Sequence, residues 1–292
     1  MLRKQFFRGW PFIIPGLAVL ALTVIAPIAY GFVFSLRDVV LYRFSRQVFV
    51  GFANYLDLLA DPFFLKSASI TLTFTVSVTF LSLLIGLVVA LLLDGSLSRV
   101  KNIYAALFLL PFITTPVVAG LIWRFFVLDP EYGLVNTLLG LLGLAGPGWL
   151  IDRDLALGAV IAANTWRLAP LAFLVLYAAL STLPGELSEA ARIDGAGPVR
   201  VAWNIQLPLI APHTIFVGLV LMTSAFREFD AVYSMTSGGP ARETTTLTIL
   251  TYVRGIVNFD IGMANAISFT MFLMVLVLAG IYVAAVAARG QR

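Results

Sequence analysis

Apolar runs of roughly 20 residues or more, the length at which a helix crosses a bilayer, recur along this chain and are separated by polar stretches. They predict helices over residues 11–36, 70–93, 103–128, 155–182, 209–226 and 264–288. The expected fold class is therefore all-α: a polytopic membrane protein of six transmembrane helices, with residues 1–292 forming one transmembrane domain. An even number of spans puts both termini on one side. The first run lacks a small-residue cleavage site and is long enough to be a retained helix rather than a cleaved leader. In the second run Thr75, Thr79, Ser82 and Gly86 recur on one helical face, a small-residue stripe that lets helix backbones approach closely in lipid. In the third, Pro111 and Pro116 flank Thr114-Thr115 and predict a kink or partial unwinding. Residues 129–154 form a Gly-rich outer loop with a short interfacial segment around Leu138 to Leu144.

Residues 184–208 break this pattern. Pro184 suits a first helical position, and Glu186 and Glu189 suit the positive end of the helix that follows. Ala190 and Ala191 leave a small-residue surface, Gly195 ends the helix, Gly197-Pro198 starts another, and Pro208 marks entry to the next apolar run. The stretch predicts a helix-turn-helix between the fourth and fifth spans, and hence a docking element. The pattern by itself names no partner.

Composition agrees with the membrane reading: 60% of residues are hydrophobic and 12% charged, where soluble domains carry about a quarter charged residues. The net charge of +4 does not point to nucleic acid, because the basic residues are scattered and flank the spans. With no cysteine and one histidine, disulfides are excluded and a transition-metal site is not expected. His213, beside Pro212, is expected to be a satisfied structural histidine. A phosphate-binding loop of the G-x-x-x-x-G-K-[ST] form is missing, since none of Lys4, Lys66 and Lys101 follows a glycine. The chain is thus not expected to be an enzyme or to hold a cofactor. If it pumps, energy comes from a partner or from an ion gradient. A gradient-driven carrier buries carboxylates or histidines at mid-span, whereas Glu228 and Asp230 fall at the end of the fifth run, which favours an external motor. The ion-gradient-driven carrier stays as the alternative, beside a membrane scaffold that uses residues 184–208 only for docking.

Glu189-Ala190-Ala191, Gly195, and then Ile205-Gln206-Leu207-Pro208 resemble the complete EAA loop of ABC-importer permease subunits. Thr236-Ser237-Gly238-Gly239-Pro240 with Thr244-Thr245-Thr246 resembles the outer loop of the maltose-type sugar permeases. Gly51-Phe52-Ala53-Asn54-Tyr55, Asp129 to Asn136, Asn164-Thr165-Trp166 and Asp194 to Gly197 are similar to the same family, so the likeness runs nearly from first span to last. The chain departs from the longest such permeases in lacking extra N-terminal spans and a large outer insertion.

The resemblance implies an importer permease in a bacterial or archaeal cytoplasmic membrane, with both termini and the 184–208 loop in the cytoplasm. Its implied partners are a second homologous permease, two ATPase subunits carrying ATP and Mg, an extracytoplasmic solute-binding protein and the lipid bilayer. Glu189 would contact a groove of the ATPase, with Ala190 and Ala191 packing there and Asp194-Gly195 making the turn. Ile205, Leu207 and Pro208 would pass motion into the fifth span. Ser237, Gly238, Gly239 and Pro240 would face the binding protein. Alternating access would carry a small-molecule solute of the sugar class.

For the solute path, Asn164 and Arg167 share a face of the fourth span, and Ser224, Arg227 and Glu228 a face of the fifth. Similar proteins line their path with these two helices, which makes the five residues candidate solute contacts. The alternative is that Arg227 and Glu228 pair with each other at the rim and Arg167 is structural. Arg124, Arg167 and Arg227 bring an anionic sugar among the candidate solutes, because guanidinium groups pair well with phosphate and carboxylate.

Overall fold

The computed structural model describes residues 10–43, 47–94 and 101–290. The chain divides into two compact units, one made of residues 1–65 with 250–273 and the other of residues 66–249 with 274–292.

The first unit opens with α1 (Trp10–Leu20), a π-helical turn (Ala21–Ile25) and α2 (Ala26–Ser35), which together form the first apolar run. Two short antiparallel strands follow, β1 (Arg37–Asp38) and β2 (Val48–Phe49), with Arg37 opposite Phe49. Helix α3 (Ala53–Ala60) then carries Asn54, which is buried and donates to the carbonyls of Ser35 at 2.8 Å and Arg37 at 3.0 Å. Tyr55 hydrogen-bonds the Ser35 hydroxyl at 2.6 Å. The Asn-Tyr pair of the 51–55 motif thus stitches α3 to the end of α2. Asp61 pairs with Arg254 at 2.9 Å and also accepts from the Phe63 amide, capping the next helix.

That helix, α4 (Pro62–Asp94), has 33 residues. It starts earlier than the hydropathy expectation of residue 70, because Asp61 caps it and Pro62 fits a first helical position, where no amide is needed. The third apolar run is not one helix. Helices α5 (Lys101–Ile113) and α6 (Pro116–Ile122, continued by a π turn, Trp123–Val127) meet at a bend of 101°. The kink expected at Pro111 and Pro116 is a full break, since Pro116 begins a new helix after Thr115 turns extended. A short α7 (Leu134–Leu141) lies in the loop that follows, where buried Asn136 accepts from the Trp149 indole at 2.7 Å.

In the second unit the core sits on α8 (Arg153–Ser181), two-thirds of whose apolar window is buried. Asp152 caps its start by accepting from the Asp154 amide. Helices α5 and α6 pack on α8, as do α12 (Ala211–Phe226) and α13 (Asp230–Thr236). Thr75, Thr79 and Ser82 are buried on α4. One turn further, a Cβ at Gly86 would lie 2.6 Å from the Phe173 amide and 2.9 Å from the Ala169 carbonyl, so only glycine permits this approach of α4 to α8. Helix α14 (Leu247–Tyr252), a π turn (Val253–Val257) and α15 (Ile261–Gly290) complete the chain. Four described helices are long and apolar enough to cross a membrane, and up to six spans result if each bent pair is one.

Candidate functional site

Between α8 and α12 the structure forms the expected helix pair. Helix α9 (Gly185–Ile193) has Pro184 as its N-cap, one residue outside the position predicted for it, and Glu186 in its first turn. Its C-terminus explains Asp194-Gly195: Asp194 is the C-cap, and Gly195 follows with φ +82°. Gly195 donates to the Arg192 carbonyl at 3.0 Å and Ala196 to the Ala191 carbonyl at 2.9 Å, the paired bonds of a Schellman turn. Nothing lies within 4 Å of a Cβ built on Gly195, so glycine is required there by the backbone angle and not by space.

Glu189, Ala190 and Asp194 are exposed and Ala191 is half-buried. Leu187, Ile193, Val199 and Trp203 are large apolar side chains open to the surroundings, Ile193 at 87% exposure. A new helix, α10 (Pro198–Val201), leads through a π turn (Ala202–Gln206) into α11 (Leu207–Leu209), which meets α12 at a bend of 74°. Ile210 sits buried at this elbow. Ile205 and Leu207 are half-buried and Pro208 is exposed. A cavity of about 610 Å³ opens where the C-terminal ends of α4 and α8 meet this segment, with Glu189, Arg192, Ser188 and Asp94 on its walls. At its edge the Gln206 amide donates to Asp94 Oδ2 at 3.1 Å, a link invisible in the sequence because 112 positions separate the partners.

The five candidate solute contacts do not form one surface. Asn164, Arg167 and Glu228 are buried, Ser224 is half-buried and Arg227 is exposed. Arg227 and Glu228 do not pair at a rim: α12 ends at Phe226, and the next two residues turn in different directions. Arg227 reaches back to the Thr223 carbonyl, whereas Glu228 forms a buried ion pair with Arg167. The second oxygen of Glu228 accepts from the Ala231 amide at 3.0 Å, at the start of α13, and its carbonyl accepts from Thr248 at 2.9 Å. Arg167 and Glu228 therefore join α8, α13 and α14. Asn164 donates to the Val160 carbonyl within its own helix. Facing outward from α8, Trp166 contacts Trp123 edge-on at 6.1 Å, and Tyr177 stacks on Phe173 at 5.4 Å. His213 is exposed.

The threonine-rich motif of residues 236–246 is a stitched loop. Thr245 donates to the Gly238 carbonyl at 2.8 Å, Thr244 to the Gly239 carbonyl at 2.6 Å, and Thr236 and Thr244 share a hydrogen bond of 2.6 Å. Ser237 is exposed with φ 51°, Gly238 is buried, and Gly239 and Pro240 are half-buried. Lys66 on α4 pairs with Glu243 at 2.6 Å. Beside the loop a cleft of about 340 Å³ is bounded by Arg124, Asp129, Ile151 and Ser237, with Arg124 donating to the Ser234 carbonyl at 3.1 Å. Among the described residues no group of acidic and histidine side chains could hold a metal ion.

A family profile described as the binding-protein-dependent transport system inner membrane component matches residues 82–289. The sn-glycerol-3-phosphate transport system permease protein UgpA of Salmonella typhi is 34% identical over 282 residues, covering 94% of each chain. A probable ABC transporter permease, y4oQ of Sinorhizobium fredii, is 31% identical over 266 residues, covering 91% of this chain and 85% of its own. Among solved structures, a bacterial ABC transporter involved in import of the acidic polysaccharide alginate has a chain with this fold. It superposes with a TM-score of 0.84 at 19% identity, covering 98% of both chains. The MetNI methionine transporter is more distant, at a TM-score of 0.55 and 18% identity over 82% of this chain and 97% of its own. The chain belongs to the binding-protein-dependent inner membrane components, the permease subunits of ABC importers, and is a multi-pass protein of the cytoplasmic membrane.

Proposed function

We propose that this chain is one permease half of an importer for a sugar or sugar-like solute, in a single six-span domain. The two bent helix pairs each count as one span, both termini are cytoplasmic, and residues 184–208 form the coupling loop. A second permease completes the path, a binding protein delivers the solute, and ATP with Mg is hydrolysed on two partner ATPase subunits and not here. The observation that carries the coupling assignment is an exposed, amphipathic helix pair closed by a Schellman turn, set between two apolar helices. An isolated loop gains nothing from exposing Leu187, Ile193, Val199 and Trp203 together; a protein partner buries them. In this role Glu189 makes the polar contact with the ATPase, Ala190 and Ala191 pack against it, and Asp194 and Gly195 hold the turn. Ile205, Leu207 and Pro208 lead the movement toward α12.

A path shared by two permeases runs over surfaces that are open in either half alone. We accordingly assign solute contact to Ser224 and Arg227, with Trp166 as a stacking face. Asn164, Arg167 and Glu228 support the path from behind. Ser237 to Pro240 face the binding protein. Relatives named for glycerol-3-phosphate and a structural neighbour importing an acidic polysaccharide keep anionic solutes in view. Since Glu228 neutralises Arg167, the guanidinium assigned to an anionic group is Arg227. The carrier alternative loses support for the same reason, because the buried carboxylate is held by an arginine rather than free to relay protons.

The test is uptake in proteoliposomes that hold both permeases and the ATPases, supplied with the binding protein and a panel of sugars, sugar alcohols and glycerol phosphates. Uptake that requires ATP and the binding protein, and that Glu189→Ala abolishes, is expected. Arg227→Ala is expected to weaken uptake of an anionic panel member. Uptake without ATP would overturn the importer reading in favour of the carrier.

A further inference from the structure

We infer that α4 is a strut whose inner end travels with the coupling segment, through Asp94 and Gln206, and whose outer end holds the 237–246 loop, through Lys66 and Glu243. The inference rests on the coupling assignment above and adds a second route by which movement crosses the membrane.

The route through the fifth span is broken. Between Gln206 and α12 the chain passes a π turn, a three-residue helix and a 74° elbow, joints that can absorb a displacement. The third span is interrupted by a 101° bend. Helix α4 has no such joint: it is one 33-residue α-helix with no proline after its first position. From Lys66 to Asp94 it covers about 42 Å at a rise of 1.5 Å per residue.

Both ends of this helix carry side chains bonded to the segments that matter. At the inner end, Asp94 accepts from Gln206 at 3.1 Å, within the Ile205 to Pro208 stretch. An ionised acceptor makes such a bond stronger than one between neutral groups. At the outer end Lys66 pairs with Glu243 at 2.6 Å, and buried Thr71 accepts from the Leu247 amide at 2.8 Å, directly after the loop. These two contacts flank Thr244, Thr245 and Thr246, so the loop is pinned to α4 where its own stitching ends. Nearer the Asp94 end, close contact at Gly86 keeps α4 alongside α8. Asp94 and Gln206 are positioning residues: neither is assigned to touch ATP or solute.

The chain has no cysteine, so an Asp94→Cys, Gln206→Cys pair joined by a short bis-methanethiosulfonate linker, which restores the reach of the two side chains, introduces a single reducible disulfide bridge within it. In the complete complex the disulfide is expected to form equally in the nucleotide-free state and in the Mg-ATP state trapped with vanadate. The cross-linked complex is expected to hydrolyse ATP as the reduced one does. A disulfide that forms in one state only, or that stops hydrolysis, overturns the inference.

A second measurement reads the far end. The labelling rate of a Ser237→Cys variant by a membrane-impermeant maleimide is expected to change when ATP is added. Asp94→Leu or Gln206→Leu is expected to reduce that change about threefold to tenfold, the weight of one hydrogen bond. Asp94→Asn, which keeps an acceptor, is expected to preserve it. Labelling that ignores ATP, or that responds equally in the leucine variants, overturns the strut. Glu189→Ala separates the two readings: if the ATPases still bind and still drive the ATP response with that change, the coupling assignment fails, whatever the disulfide shows.

Discussion

At the scale of single residues, the buried Arg167–Glu228 pair dominates this permease. Its side chains are 10% and 7% exposed, and the carboxylate also caps α13, so neither charge has water to turn to if the other is removed. Breaking one partner of such a pair costs about 3–5 kcal/mol. Arg167→Met alone is therefore expected to lower the melting temperature of the purified complex sharply, and the double change Arg167→Met, Glu228→Gln to recover much of the loss. Equal melting of single and double variants would show that the pair is not the source of the effect. The sequence displayed all the charges but not their pairing. Adjacent Arg227 and Glu228 suggested a rim pair, yet they follow the last turn of α12, where the chain leaves the helix and sends successive side chains apart. Asn54 was likewise visible in a motif without its reason, since its two carbonyl partners lie 17 and 19 positions away.

At the scale of elements, hydropathy marked the apolar runs but not their geometry. Transfer to lipid depends on composition along a segment, so a run reads the same whether it is straight or folded back by 101°. Proline and glycine were the legible punctuation: they marked the 184–208 helix pair and the break at Thr115, although the size of that break came from packing. The π turns at residues 123–127, 202–206 and 253–257 left no trace in the pattern. Gly86 belongs to this scale, because it sets how closely α4 and α8 approach. Gly86→Val is expected to push the helices apart and destabilise the complex by about 1–3 kcal/mol, as overpacking does. Its measurement is the melting temperature of the complex beside a control such as Gly158→Ala, where a Cβ meets nothing.

At the scale of the whole molecule, large apolar side chains stay exposed along the first span, none of whose apolar window is buried. Side chains this apolar are shielded from water by lipid or by another subunit. The six spans and cytoplasmic termini proposed above make a direct prediction: epitope tags at both ends are reached by antibody only after the membrane is permeabilised from the outside. A tag at Ala241, in the loop proposed to lie outside, is expected to be reached without permeabilisation. Opposite sidedness of the two terminal tags would mean that a bent helix pair is re-entrant and not a span.

Membership of the bilayer, the order of the apolar runs, the two short helices within residues 184–208 and the spaced motif of its family were legible in the sequence. Each of these depends on local composition or on residues close along the chain, where periodicity, proline and glycine act directly. Which charges meet, which candidate contacts are buried, how far the spans bend, and that α4 is bonded to a distant segment at each end came only with the tertiary fold. These depend on residues brought together from distant parts of the chain, such as Asp94 and Gln206 or Arg167 and Glu228, and no local pattern records a contact that packing alone creates.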